Sequence, residues 1–348
     1  MSVYSFFIYT IFFSFSVFFA YISTHIPNRN KPILIAFTYC FIVFFWSIRD
    51  DIGFDYANYV LIYKEINAGY SSHVEPLYYS LSRIFSNFEK GYLLTLSAMS
   101  ALTYFFLFKA FVYKGILWQG ILFSLCFQFQ FMAANQVRQA LAISVFIYLL
   151  KYIEQKKYII AILGIIVVVF FIHTSAFFLL VIIPLSYIRI SPKKWSAIII
   201  VLYFLYLKGV FRNLGNILMT TLPLPENYQH FLLSERMEPE VIGFSLIMLF
   251  YVLISLYILY NENYIKEKSI LTLYMFGVCM YILFIEYHLL LRLSFYLLYI
   301  NMYIASIIHK NNRNRGEALL LSSVLFYLFI CLQPTNMHGV IPFKCIFD

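Results

Sequence analysis

Residues 4–23 carry no charged side chain, and apolar runs of similar length recur along nearly the whole chain. A hydrocarbon core of about 30 Å is crossed by roughly 20 apolar helical residues, and in lipid only helices and closed barrels satisfy every backbone polar group. In order, the runs are Tyr4–Ser23, Pro32–Ile48, Tyr92–Val112, Trp118–Ala134, Gln139–Ile153 and Tyr158–Ile172, then Ser175–Ile188, Trp195–Val210, Val241–Tyr260, Ile270–Glu286, Leu289–Ile308 and Ala318–Leu332. They predict an all-α, polytopic integral membrane protein of about twelve transmembrane helices. Residues 1–348 form a single transmembrane domain on this reading, with no internal repeat and no separate soluble domain. The shorter runs meet at tight turns beside Arg138 and His173, where a broken or re-entrant helix also fits. The first run lacks a basic leader and a small-residue cleavage site, so it reads as a retained helix.

Composition narrows the class further. Charged residues make up only 12% of the chain, about half the share of a soluble domain. Lipid-facing helix accounts for 39 Phe but not for 31 Tyr, a residue that favours surfaces with one wet edge. The net charge of +9 is scattered through short loops without a recognition motif, which argues against nucleic acid as a partner. Five cysteines without a CxxC pair indicate neither a disulfide framework nor a thiolate metal site.

Basic residues set the expected orientation. Arg29 and Lys31, Lys109 and Lys114, Lys151 to Lys157, Arg189 to Lys194, Lys266 and Lys268, and Lys310 to Arg315 fall in alternate loops. Most of the acids collect in the other set. The positive-inside rule places the basic loops in the cytoplasm and both termini outside. Two outer loops are then long, 49–91 and 211–240. In the first, Tyr56, Tyr59, Tyr63 and Ile66 recur at helical spacing behind Asp55, a residue suited to capping a helix start. Glu75-Pro76 opens a second helix, with Leu77, Leu81, Ile84, Phe85 and Phe88 as its apolar face. Both helices are expected at the bilayer interface. The proline-containing second loop reads as an irregular cover.

Arginines at membrane depth or its edge are the sharpest chemical signal, since such a residue is costly there and usually functional. Arg138 sits in the polar knot Asn135-Gln136-Val137-Arg138-Gln139, Arg49 closes the second run, and Arg292 follows Glu286 and His288. Each also fits a plain part, reaching headgroups or pairing with an acid. Together they point to an anionic ligand, because guanidinium donors match phosphate oxygens. His173 could cap a tight hairpin or accept a proton. Glu75 and Asp55 could cap helices or act as bases, and the two roles are compatible. Asp50, Asp51 and Asp55 lack the spacing of a calcium loop, and no metal site or cofactor is assigned. No phosphate-binding loop, nucleophile elbow or dinucleotide fingerprint occurs.

Several of these segments resemble, in order, motifs of the EpsG-like, Wzy-type polysaccharide polymerases. Arg49 followed by Gly53-Phe54-Asp55-Tyr56 and Tyr59 is similar to the family's opening R…G-x-D-Y-x-x-Y pattern. Glu75-Pro76-Leu77-Tyr78 resembles E-P-x-Y, and Arg138-Gln139 with Leu141-Ala142 resembles R-Q-x-L-A. His173-Thr174-Ser175-Ala176 and Arg292-Leu293 with Tyr296 look like its later elements. The doubled Asp50-Asp51 and Thr174 depart from the pattern.

The resemblance implies an enzyme of the bacterial inner membrane that extends a glycan such as O-antigen at the periplasmic face. The growing chain would move from undecaprenyl diphosphate to the non-reducing end of another lipid-linked unit. Arg49, Arg138 and Arg292 would hold the diphosphate. Glu75, Asp55 or His173 would accept the proton of the attacking hydroxyl, and Tyr56, Tyr59, Tyr78, Gln139 and Tyr296 would line the sugar and lipid path. Implied partners are undecaprenyl-diphosphate-linked oligosaccharides, membrane lipid, and the flippase and chain-length regulator of the same pathway. A flippase of the same lipid-linked oligosaccharide, or an O-antigen ligase, is the rival reading. The first would need polar groups along an inward cavity. The second usually has its large outer loop late in the chain, whereas here it comes early.

Overall fold

A computed structural model describes residues 3–70, 74–212, 246–332 and 338–347. All regular structure among them is helical, apart from one isolated antiparallel bridge between Arg49 and Cys345. They group into two compact units, Met1–Leu180 with Ala305–Asp348, and Val181–Ile304.

In the first unit, α1 (Val3–His25) and α2 (Lys31–Ser47) form a hairpin. Pro27 stops α1, and Pro32 sits at the start of α2, where its missing N–H leaves nothing unpaired. Two short helices follow, α3 (Tyr56–Asn67) and α4 (Pro76–Ile84), leading into α5 (Gly91–Lys114). The expected helices of the first long loop are therefore present. Tyr56, Tyr59, Tyr63 and Ile66 of α3 are buried, while α4 buries Tyr78 and Ser82 and leaves the apolar Ile84 and the following Phe88 exposed.

The run 118–134 is not one straight span. It splits into α6 (Leu117–Cys126) and α7 (Phe129–Asn135), bent by 67°, with Gln128 at φ +63° between them. Then come α8 (Val137–Glu154), α9 (Tyr158–Phe171) and a single 3-10 turn, Thr174–Ala176. Helices α5 and α8 pack side by side and run parallel, because the Lys114 Nζ at the end of one pairs with Glu154 at the end of the other, 2.6 Å apart. Their N-termini therefore share the opposite end of the unit. An aromatic cluster fills its middle: Phe12 stacks on Phe45 at 3.6 Å, and Tyr9 meets Phe131 edge-on at 5.0 Å.

The chain's last segment is tied to the loop after α2. The Asp50 and Gly53 amides donate to Lys344 and Gly339 carbonyls, the Ile346 amide donates to Ile48, and the Tyr9 hydroxyl donates to Val340. After α9 the chain continues as α10 (Phe177–Ile182). The second unit packs α11 (Pro192–Leu207), α12 (Leu246–Tyr260), α13 (Lys268–Phe284) and α14 (His288–Leu298). Beyond it run α15 (Ile300–Asn311) and α16 (Arg313–Leu332).

Four stretches are long and apolar enough to cross a membrane: Tyr4–His25, Gly91–Lys114, Leu290–Asn311 and Arg313–Cys331. The bent pair α6–α7 makes a fifth if it counts as one span. The chain is thus an all-helical membrane protein with four or five such spans among the described residues, where about twelve were expected. The difference lies in helix length. Helix α9, for example, has 14 residues and a rise of about 21 Å, because His173 takes an extended conformation (φ −161°) and ends it. Apolar sequence runs on past the point where the backbone turns. The second long loop lies outside the described residues except for its first two, Phe211 and Arg212.

Candidate functional site

Glu75 precedes Pro76, and a residue before proline is held out of helical geometry. Its backbone is accordingly extended (φ −64°, ψ 148°), and its side chain makes no cap hydrogen bond to α4. The carboxylate reaches instead to two other elements. Oε2 accepts from Arg138 Nη1 at 2.5 Å. Oε1 accepts from the Thr174 amide at 3.1 Å and lies 2.9 Å from His173 Nδ1. One carboxylate thus joins the start of α4, the start of α8 and the turn after α9.

Only a tenth of the Glu75 side chain is exposed, with 20% for Arg138 and 23% for His173. Burial alone would raise the Glu75 pKa. The hydrogen bond with His173 and the nearby Arg138 charge outweigh it and bring the carboxyl down to about 2. Glu75 is an anion at any physiological pH. The contact with Nδ1 selects the imidazole tautomer that leaves Nε2 with its lone pair.

Arg138 stands in the first turn of α8, where the helix dipole disfavours a cation. Three groups compensate. Glu75 supplies the charge, and the rings of Tyr59 and Tyr78 lie 5.6 and 6.0 Å from the guanidinium. Those rings pack against each other at 5.6 Å, and the Tyr78 hydroxyl donates to the Tyr59 carbonyl at 3.1 Å. Arg138 Nε is buried and has no hydrogen-bond partner. A ligand oxygen would satisfy it.

The loop before α3 is fitted to the same place. Gly53 (φ +100°) lies so close to α7 that an added Cβ would stand 3.0 Å from Asn135 Cα. The Asp55 amide then donates to Asn135 Oδ1 at 2.8 Å. Asp55 precedes α3 as expected but makes no side-chain cap bond. Tyr56 donates a short hydrogen bond to Asp50.

Of the residues singled out in the sequence, Glu75, Arg138, His173, Tyr59 and Tyr78 converge. Asp55 lies on the adjoining loop, Tyr56 opens α3, and Gln139 is buried next to Arg138 on α8. Arg49 is elsewhere. Its guanidinium is 2% exposed and donates to the Trp46 carbonyl and the Ser100 hydroxyl, leaving Nε and Nη2 unpartnered. Arg49 turns in between α2 and α5. Arg292 and Tyr296 belong to α14 in the second unit, where Arg212 also reaches Glu286 at 3.4 Å. Two participants were not read from the sequence: the Thr174 amide and the Asn135 side chain. A backbone N–H has no sequence signature, and Asn135 was visible only as part of a polar knot.

Residues 32–344 match the family model described as the EpsG family. Neither a curated protein nor a solved structure gives a match.

Proposed function

The chain belongs to the EpsG family, and from that membership we propose that it polymerises lipid-linked oligosaccharide repeat units for a surface polysaccharide. The single observation that carries this reading is the Glu75 carboxylate holding Arg138 and His173 side by side beneath two tyrosine rings. A cation that binds phosphate and an imidazole that accepts a proton are the two groups such a transfer needs.

In the proposed reaction, a hydroxyl of the acceptor sugar attacks the anomeric carbon of the donor glycan. Its proton passes to His173 Nε2, a C–O bond forms, and the bond to undecaprenyl diphosphate breaks with its electron pair going to the diphosphate. Arg138 donates to that leaving group and draws on the positive end of the α8 dipole. Glu75 is the positioning residue. With a pKa of about 2 it is too weak a proton acceptor to serve as base, which moves the base from Glu75 to His173. Tyr59 and Tyr78, both buried, pack beside the Arg138 guanidinium and hold it in place. Asp55 shapes the loop, and Arg49 braces α2 and α5. The reaction belongs at the periplasmic face of the inner membrane, with the pathway's flippase and chain-length regulator as partners.

The test is deletion of the gene followed by electrophoresis of the host's surface glycan. Collapse of the ladder to a single repeat supports a polymerase, because export and attachment still operate. Loss of every repeat points to a flippase or ligase, and an unchanged ladder refutes the proposal.

A further inference from the structure

The opposite end of the first unit holds a cavity of about 710 Å³ between the C-terminal end of α1, the start of α6 and the α15–α16 turn. Two of its lining residues each carry a buried polar atom without a partner, Gln119 Oε1 on a residue 7% exposed and His309 Nδ1 on a residue 9% exposed. A buried polar atom left unpaired is costly unless something from outside completes it. Lys310 and Arg313, both exposed, stand at the rim. Lys310 Nζ donates to the Lys114 carbonyl at 2.8 Å, and Arg313 pairs with Glu317 on the surface. Such an exposed pair contributes little and yields readily to a better anion. Trp118 crosses His309 edge-on at 4.9 Å.

We propose that this cavity binds the headgroup of a glycerophospholipid whose phosphodiester is accompanied by an O–H or N–H donor. The phosphate meets Lys310 and Arg313, and the headgroup donor meets Gln119 Oε1 and His309 Nδ1. Location identifies lipid as the source. The cavity lies at the ends of two helices long enough to span the bilayer, Tyr4–His25 and Arg313–Cys331, where headgroups are found. Its rim continues onto their outer faces through Leu321, which is 61% exposed, so the acyl chains have an apolar wall to follow. Basic pockets between spanning helices are a recurrent form of headgroup site. The unpartnered Gln119 acceptor sets the selectivity: ethanolamine and glycerol headgroups supply a donor, and choline supplies none. This site is independent of the Glu75 cluster, which lies at the other end of α5 and α8.

Native mass spectrometry of the detergent-purified full chain tests it, with phosphatidylglycerol, phosphatidylethanolamine and phosphatidylcholine at equal concentration. One phosphatidylglycerol or phosphatidylethanolamine adduct is expected to survive collisional activation, about tenfold above phosphatidylcholine. The species retained tells which of the two headgroups is preferred. The pair Lys310→Gln with Arg313→Gln, at exposed positions that leave the fold intact, should lower retention about tenfold. Gln119→Leu should remove the discrimination against phosphatidylcholine. Equal retention of all three lipids by the unaltered chain, or retention indifferent to the charge substitutions, would overturn the proposal. Displacement of the lipid by sn-glycerol 3-phosphate at matching concentration would overturn its lipid character.

Discussion

Replacing Glu75 with Gln keeps the shape of the side chain and removes its charge, so it isolates what the carboxylate does. Lowering that carboxyl from its ordinary value near 4.5 to about 2 corresponds to about 3 kcal/mol at 1.36 kcal/mol per pH unit. Solvent at the open edge of Arg138 trims this to about 2–3 kcal/mol. The substitution also strands Arg138 in the first turn of α8 without its counter-charge, so the upper figure is the better expectation. Denaturation in mixed micelles should show the loss, and a double-mutant cycle with Arg138→Gln should assign it. If the two side chains act on each other, the double variant loses about 2 kcal/mol less than the sum of the singles. The pH course carries the same sign. Folding depresses the Glu75 pKa, so its contribution is complete above about pH 4.5 and vanishes as pH falls through about 2. The gap between the parent and the Gln variant should therefore close progressively as pH falls from about 4.5 through about 2. Additive single effects within about 0.5 kcal/mol, or a gap that persists at low pH, would refute the reasoning.

His173→Gln should reduce chain extension by about 10²–10⁴-fold with unchanged protein abundance, measured with lipid-linked repeat units in membranes. Arg49→Met replaces a buried cation that has two unpartnered donors with an apolar side chain of similar length, so the lost hydrogen bonds are offset and stability should stay within about 1 kcal/mol of the parent, with a normal glycan ladder. Gly53→Ala forces a side chain into φ +100° and against Asn135, and should destabilise by about 1–3 kcal/mol in the same denaturation assay.

The helical class and the residues of the cluster were legible in the sequence for different reasons. Apolar runs encode burial, so each predicted run in the described residues is helical. They do not encode where the backbone turns, which is why the run 118–134 hides the break at Gln128 and the run 158–172 overstates α9. Buried tyrosines on α3 followed the helical period, whereas α4 turned Tyr78 and Ser82 inward and left Ile84 exposed. A chain in lipid has no general reason to face aliphatic groups toward protein. The polar residues Glu75, Arg138 and His173 stood out because an apolar chain tolerates few of them. What the sequence could not reveal was the pairing, since residues 63 and 98 positions apart meet on one carboxylate. Arg49 looked equivalent to Arg138 for the same reason, and only packing between α2 and α5 separates them.

The charge balance of the cluster explains how one carboxylate can serve two partners with opposite tasks. At rest Glu75 and Arg138 cancel, and the imidazole of His173 lies beside an anion already engaged by a cation. On the proposed reading, a diphosphate drawing on the Arg138 donors competes with Glu75 for them. The carboxylate, less compensated, then turns more of its charge toward His173 Nδ1, and the diphosphate adds negative potential of its own. The Nδ1–H···Oε1 hydrogen bond strengthens accordingly, so Nε2 is held in its accepting orientation once the donor is bound. A permanently exposed arginine and an unanchored histidine would bind and accept just as well, but their placements would be uncoupled. Glu75 couples them because its two oxygens are divided, one to each partner.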